Sequence, residues 1–160
     1  MVMCALGKTI AAGSLAVLLI GASACNRTPA VVYTPGLGEI MTMTQMRHAK
    51  LWFAEQAANW QLAAYELDEL KEGFDDAATF HPTHKDAPLP IAELIPKMTT
   101  SPLHDLEEAV GAKDRARFAE AYDGLTKACN ACHQATNFGF NVVSRPVANP
   151  YANQVFEPPQ

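Results

Sequence analysis

The chain has 160 residues, 49% of them hydrophobic, with 12 basic against 17 acidic side chains and a formal charge of −5. That length holds one domain with its own core. The acidic balance disfavours nucleic acid, since nothing resembles a basic groove, and suits a basic partner or none.

Residues 1–24 carry Lys8, an apolar run from Ile10 to Ile20, and Ala22-Ser23-Ala24 before Cys25. This is the layout of a secretory signal peptide, and it predicts export. The apolar run is shorter than the roughly 20 residues a membrane span needs. A cysteine directly after the cut is where bacterial lipoproteins are acylated, so Cys25 is a candidate lipidation site on the periplasmic side of a membrane. The alternative is a soluble periplasmic chain with a spare thiol. Cleavage removes Cys4 and the single basic residue Lys8, which leaves the mature chain more acidic still.

Residues 25–37, with two prolines and a glycine among them, read as a tether. From Gly38 to about His81 the composition is rich in Ala and Leu and contains no proline, which predicts helix. One helix of that length does not suit a small domain, so a break is expected at Ala57-Ala58-Asn59, with Asn59 capping a second helix. In that helix Trp60, Ala63, Ala64, Leu67, Leu70, Phe74 and Ala77 form an apolar stripe, while Asp68, Glu69, Glu72, Asp75 and Asp76 form a solvated face. His81-Pro82 ends it.

A loop rich in proline follows, over residues 82–90. The third segment runs from about Ile91 to Val110 and is expected to kink or break around Pro96 and Ser101-Pro102, with Ser101 capping the restart. Gly111-Ala112-Lys113 is a short connection and Asp114 caps a fourth helix, on which Phe118, Ala121, Tyr122, Leu125, Ala128, Cys129 and Cys132 share one face. Residues 137–160 contain four prolines and are expected to be an irregular tail. Their aromatics, Phe138, Phe140, Tyr151 and Phe156, suggest that the tail wraps the body, with Arg145 a candidate partner for an acidic group of a cofactor. The predicted fold is all-α, an antiparallel four-helix bundle over residues 38–136.

At the end of the last helix stands Cys129-Asn130-Ala131-Cys132-His133. C-x-x-C-H is the pattern that attaches one covalent haem c. On a helical turn, thiols at i and i+3 share a face and can each add to one vinyl group of a porphyrin, with the following imidazole beneath the iron. Cys129 and Cys132 are thus the candidate haem-binding residues and His133 the proximal iron ligand. A zinc site would need a second ligand pair, and His81, His84 and His104 lack the usual spacing. A redox dithiol would follow a strand in a βαβ pattern. His81 and His84 lie at the end of the second helix in the proline loop, so no second polar constellation is expected to converge on the motif.

The small cytochromes with an N-terminal motif take their sixth ligand from a later methionine, and no methionine follows His133 here. The layout from Gly38 to Gln134, with the motif closing the last helix, instead resembles the class II c-type cytochromes, the cytochrome c′ family and its six-coordinate relatives. The chain departs from that pattern in having Gln134-Ala135-Thr136-Asn137 where a basic residue is usual, and in its C-terminal extension.

The resemblance implies that the distal side comes from the first helix. Met41 opens that helix as a methionine does in the six-coordinate members, and His48, seven residues on, shares its face. Met41 is therefore the candidate distal ligand, with His48 as alternative and a five-coordinate iron as a third state. The expected function is one-electron transfer between redox partner proteins, without catalysis. Alternatives are binding or sensing of a small gas such as nitric oxide by a five-coordinate iron, and a structural lipoprotein without haem. Pairing as a homodimer through the first two helices is an analogy from such bundles.

Overall fold

Runs of good helix formers separated by capping residues fold into four helices: α1 (Leu37–Gln56), α2 (Trp60–Phe80), α3 (Ile91–Ala112) and α4 (Arg115–Ala135). The structure, a computed structural model, describes residues 33–84 and 87–159. The expected signal peptide, Cys25 and residues 26–32 of the expected tether lie outside the described residues. Among those described there is no strand, and no helix is long and apolar enough to cross a membrane.

The expected caps form where local chemistry favours them. Asn59 accepts from the Leu62 N–H at 3.1 Å, and Asp114 accepts from the N–H groups of Ala116 and Arg117 at 3.0 and 3.1 Å. Each cap satisfies donors that the first helical turn leaves orphaned and contributes about 1 kcal/mol. Ala58 and Lys113, both at φ 55°, make the tight left-handed corners that reverse the chain.

The third segment differs from expectation. α3 is one continuous helix containing both Pro96 and Pro102, and Ser101 lies within it instead of capping a second start. Tertiary packing outweighs the two missing N–H donors: Ile91, Leu94, Ile95, Leu106, Ala109 and Val110 bury a single stripe that a break would misalign. The helix also runs on to Ala112, which shortens the link to α4 to Lys113 and Asp114.

Neighbouring helices pair in chain order, α1 with α2, α2 with α3 and α3 with α4. Arg47 reaches Glu66 at 3.1 Å and Glu69 at 2.7 Å, and Arg117 reaches Glu108 at 2.8 Å, so the α1–α2 and α3–α4 pairs are antiparallel. The α2 stripe is buried at Ala63, Leu67, Leu70, Phe74 and Ala77, but Ala64 is exposed. Glu66 is buried instead, because its carboxylate has Arg47 to pair with.

α1 approaches α2 most closely where Gly73 faces Thr44: a methyl group on Gly73 would lie 2.6 Å from Thr44 Oγ1. Gly73→Ala gains about 1 kcal/mol of helix propensity, but the overlap with a stiff β-branched side chain costs about 1–3 kcal/mol. Net destabilisation of roughly 1 kcal/mol is expected by urea denaturation. Thr44→Ala in the same chain should restore the loss; a double variant no more stable than Gly73→Ala would place the strain elsewhere.

α1 and α4 are joined mainly through side chains. Arg115, at the start of α4, pairs with the buried Glu55 at 2.9 Å and donates to the Glu55 and Gln56 carbonyls at 3.1 and 2.8 Å, closing the exposed end of α1. The tail then lies over these helices. Phe156 is buried against Phe53, its carbonyl accepts from Asn59 Nδ2 at 2.9 Å, and the Tyr151 hydroxyl reaches the Met46 carbonyl at 3.4 Å.

Candidate haem site

One register relates α1 to α4. Glu55 meets Arg115, and His48 meets Tyr122 one heptad further along. A further seven residues back along α1 and forward along α4 bring Met41 level with Cys129, about 10 Å beyond the His48 layer. Here the helices and the start of the tail line a partly open cavity of about 400 Å³, within the range of small-molecule and cofactor sites. Met41, Cys129, Cys132 and His133 all line it. Its walls are largely apolar, with Leu70 and Phe74 from α2 and Ile91 and Ile95 from α3.

The two thiols are not paired with each other. Burial, and next the repulsion an ionised Cys132 would exert, push the Cys129 thiol up to about 12, and burial also raises Cys132. Both are protonated at neutral pH. That is the opposite of a redox-active dithiol, whose nucleophilic cysteine is held as thiolate by a depressed pKa. Among the described residues no group of three or more His, Cys, Asp or Glu side chains stands close enough to hold a bare metal ion.

His133 Nδ1 lies 2.6 Å from the Asn141 carbonyl oxygen. A carbonyl can only accept, so Nδ1 carries the proton, and in the neutral ring Nε2 is left with a lone pair able to bind a metal. Asn130, between the two cysteines, bonds the tail twice: Nδ2 donates to the Val143 carbonyl and Oδ1 accepts from the Val143 N–H, both at 2.8 Å.

His48 also lines the cavity, yet both of its ring nitrogens have partners. Nδ1 is 2.9 Å from the Tyr122 hydroxyl and Nε2 is 2.9 Å from Thr126 Oγ1. The Tyr122 hydroxyl also reaches the His48 carbonyl, and the Thr126 hydroxyl reaches the Tyr122 carbonyl. The rings of His48 and Tyr122 stack at 4.3 Å. Burial lowers the His48 pKa to about 4 and raises that of Tyr122. Of the other methionines in α1, Met43 is exposed over a separate acidic groove and Met46 lies off the cavity.

Two expectations are corrected. Arg145 does not reach the cavity: it pairs with Asp123 at 2.7 Å and lies over the Trp52 ring at 4.3 Å, because the tail runs back along α4 and carries it to the side of the bundle. His84 does converge on the motif. The end of α2, the start of α3 and the end of α4 meet at one end of the bundle, which puts His84 in the cavity wall, edge-on to Phe138 at 5.5 Å. His81 stays away, donating from Nε2 to the Pro35 carbonyl at 2.8 Å.

Sequence reasoning overlooked the Asn141 carbonyl and Asn130. The first is a backbone atom that no side-chain pattern announces. The second was available as a polar residue inside an otherwise apolar turn. Compared with protein-family models, with curated proteins and with solved structures, the chain matches none.

Proposed function

We propose that this chain is a monohaem c-type cytochrome that carries electrons one at a time between protein partners on the periplasmic side of a bacterial membrane. The observation that carries the reading is the convergence of Cys129, Cys132, His133 and Met41 on one largely apolar cavity. The residues present fit a haem. Two neutral thiols one turn apart can each add across a vinyl double bond, the sulfur bonding one carbon and the hydrogen the other, with no external oxidant. His133 offers Nε2 as proximal ligand, and Met41 offers a thioether from the opposite helix. The haem would supply one-electron exchange.

His48 is better fitted to structure than to ligation, since binding a metal would cost it one of two buried hydrogen bonds. The apolar lining from Leu70, Phe74, Ile91 and Ile95 lowers the polarity around a group held there, which favours a raised potential in a histidine–methionine pair. Lipidation of Cys25 would tether the domain through residues 26–36 and keep it near partners embedded in the membrane.

The test is the optical spectrum of the reduced protein, produced with haem-attachment machinery. Sharp low-spin bands are expected. Met41→Ala should convert them to broad high-spin bands that shift with carbon monoxide, whereas His48→Gln should keep the low-spin form. High-spin bands in the unaltered protein would overturn electron transfer in favour of gas binding. No covalent haem at all would leave the structural lipoprotein.

A further inference from the structure

The C-terminal extension does more than cover the domain. Three successive contacts hold the tail along α4, from its last turn back to its middle. Asn141 offers its carbonyl to His133, Val143 is held twice by Asn130, and Arg145 is held by Asp123. Asn130 binds Val143 through both N–H and C=O, as a neighbouring strand would, so it fixes the rotation of the tail backbone as well as its distance. Val143 is itself buried. Two residues earlier the chain is left little freedom, and the Asn141 oxygen is aimed at Nδ1.

From this arrangement we propose that residues 141–143 are a brace for His133 and that Asn130, inside the C-x-x-C-H motif, is the positioning residue that holds the brace. The proposal rests on the haem reading for its redox consequence, though not for its geometry. A metal-binding imidazole takes its tautomer and ring orientation from the acceptor on its other nitrogen, and that acceptor makes the ring a stronger donor. A stronger donor favours the more oxidised iron. The brace therefore lowers the potential, and a chain in which it is released is easier to reduce.

The experiment uses the full chain with Asn130→Ala and Asn130→Asp, the second keeping the acceptor for the Val143 N–H while losing the donor to its carbonyl. In haem-free protein labelled with nitrogen-15, His133 should be a single Nδ1–H tautomer with a slowly exchanging proton. Asn130→Ala should give a mixture of tautomers with fast exchange, and Asn130→Asp a result between the two. In haem-loaded protein, Asn130→Ala should raise the reduced-to-oxidised ratio at a fixed poise on the order of tenfold, equal to 59 mV for one electron.

Haem-loaded Asn130→Ala with unchanged potential and an unchanged Nδ1–H signal would overturn the brace. If the exported chain carried no haem, the haem reading would fall, and the brace would stand or fall on the tautomer alone. Should Asn130→Ala fail to fold, Asn130→Asp decides: wild-type exchange at His133 in that variant would sink the proposal.

Discussion

Replacing Cys129 and Cys132 together by serine should abolish covalent haem, read as the loss of one haem mass from exported protein and of colour in a denatured, haem-stained gel. Each single variant should keep one thioether at reduced yield. The fold is expected to survive. Both cysteines are only partly buried, and serine is smaller by little more than the difference between sulfur and oxygen. Cys129 packs against the core, so each serine should cost on the order of 1 kcal/mol of apolar burial. A helical, cooperatively melting double variant that still carried covalent haem would remove the motif from the assignment.

Acidification should weaken the domain by an amount traceable to His48. Burial lowers its pKa to about 4 from the ordinary 6.5. Between those values the unfolded chain holds the proton and the folded chain does not, so stability rises with pH across this window. The contribution is complete above pH 6.5 and is lost as pH falls through 4, on the order of 3 kcal/mol in all. Urea denaturation at pH 7 and pH 4 measures it. Carboxylates titrate in part of the same range, so the comparison is with His48→Gln, whose side chain can still bond Tyr122 or Thr126. That variant should be less stable at pH 7 and show a shallower fall. An equal fall in both proteins would assign the acid sensitivity to other groups.

What could be read in the sequence was what local chemistry decides. Asn59 and Asp114 cap because their side-chain oxygens reach orphaned N–H groups two or three residues on, and no distant partner is needed. The heptad between Met41 and His48 put both on the wall that faces α4. Where distant packing decides, the sequence misleads. Pro96 and Pro102 predict a break that the buried stripe of α3 overrides. Glu66 takes an inner position that belongs by hydropathy to Ala64, because an arginine on another helix stands opposite. His84 reads as a loop residue until the antiparallel layout gathers three helix ends at one cavity. Arg145 looks like a spare cation until Asp123 and Trp52 are seen beside it.

The route of the tail also bears on how the domain folds. Helix hairpins close over short loops and form fast, whereas the bonds from Asn59 to Phe156 and from Tyr151 to Met46 span 97 and 105 residues of chain. Joining such distant points is entropically slow. The bundle can therefore assemble first and be fastened afterwards, in a separate late phase of refolding.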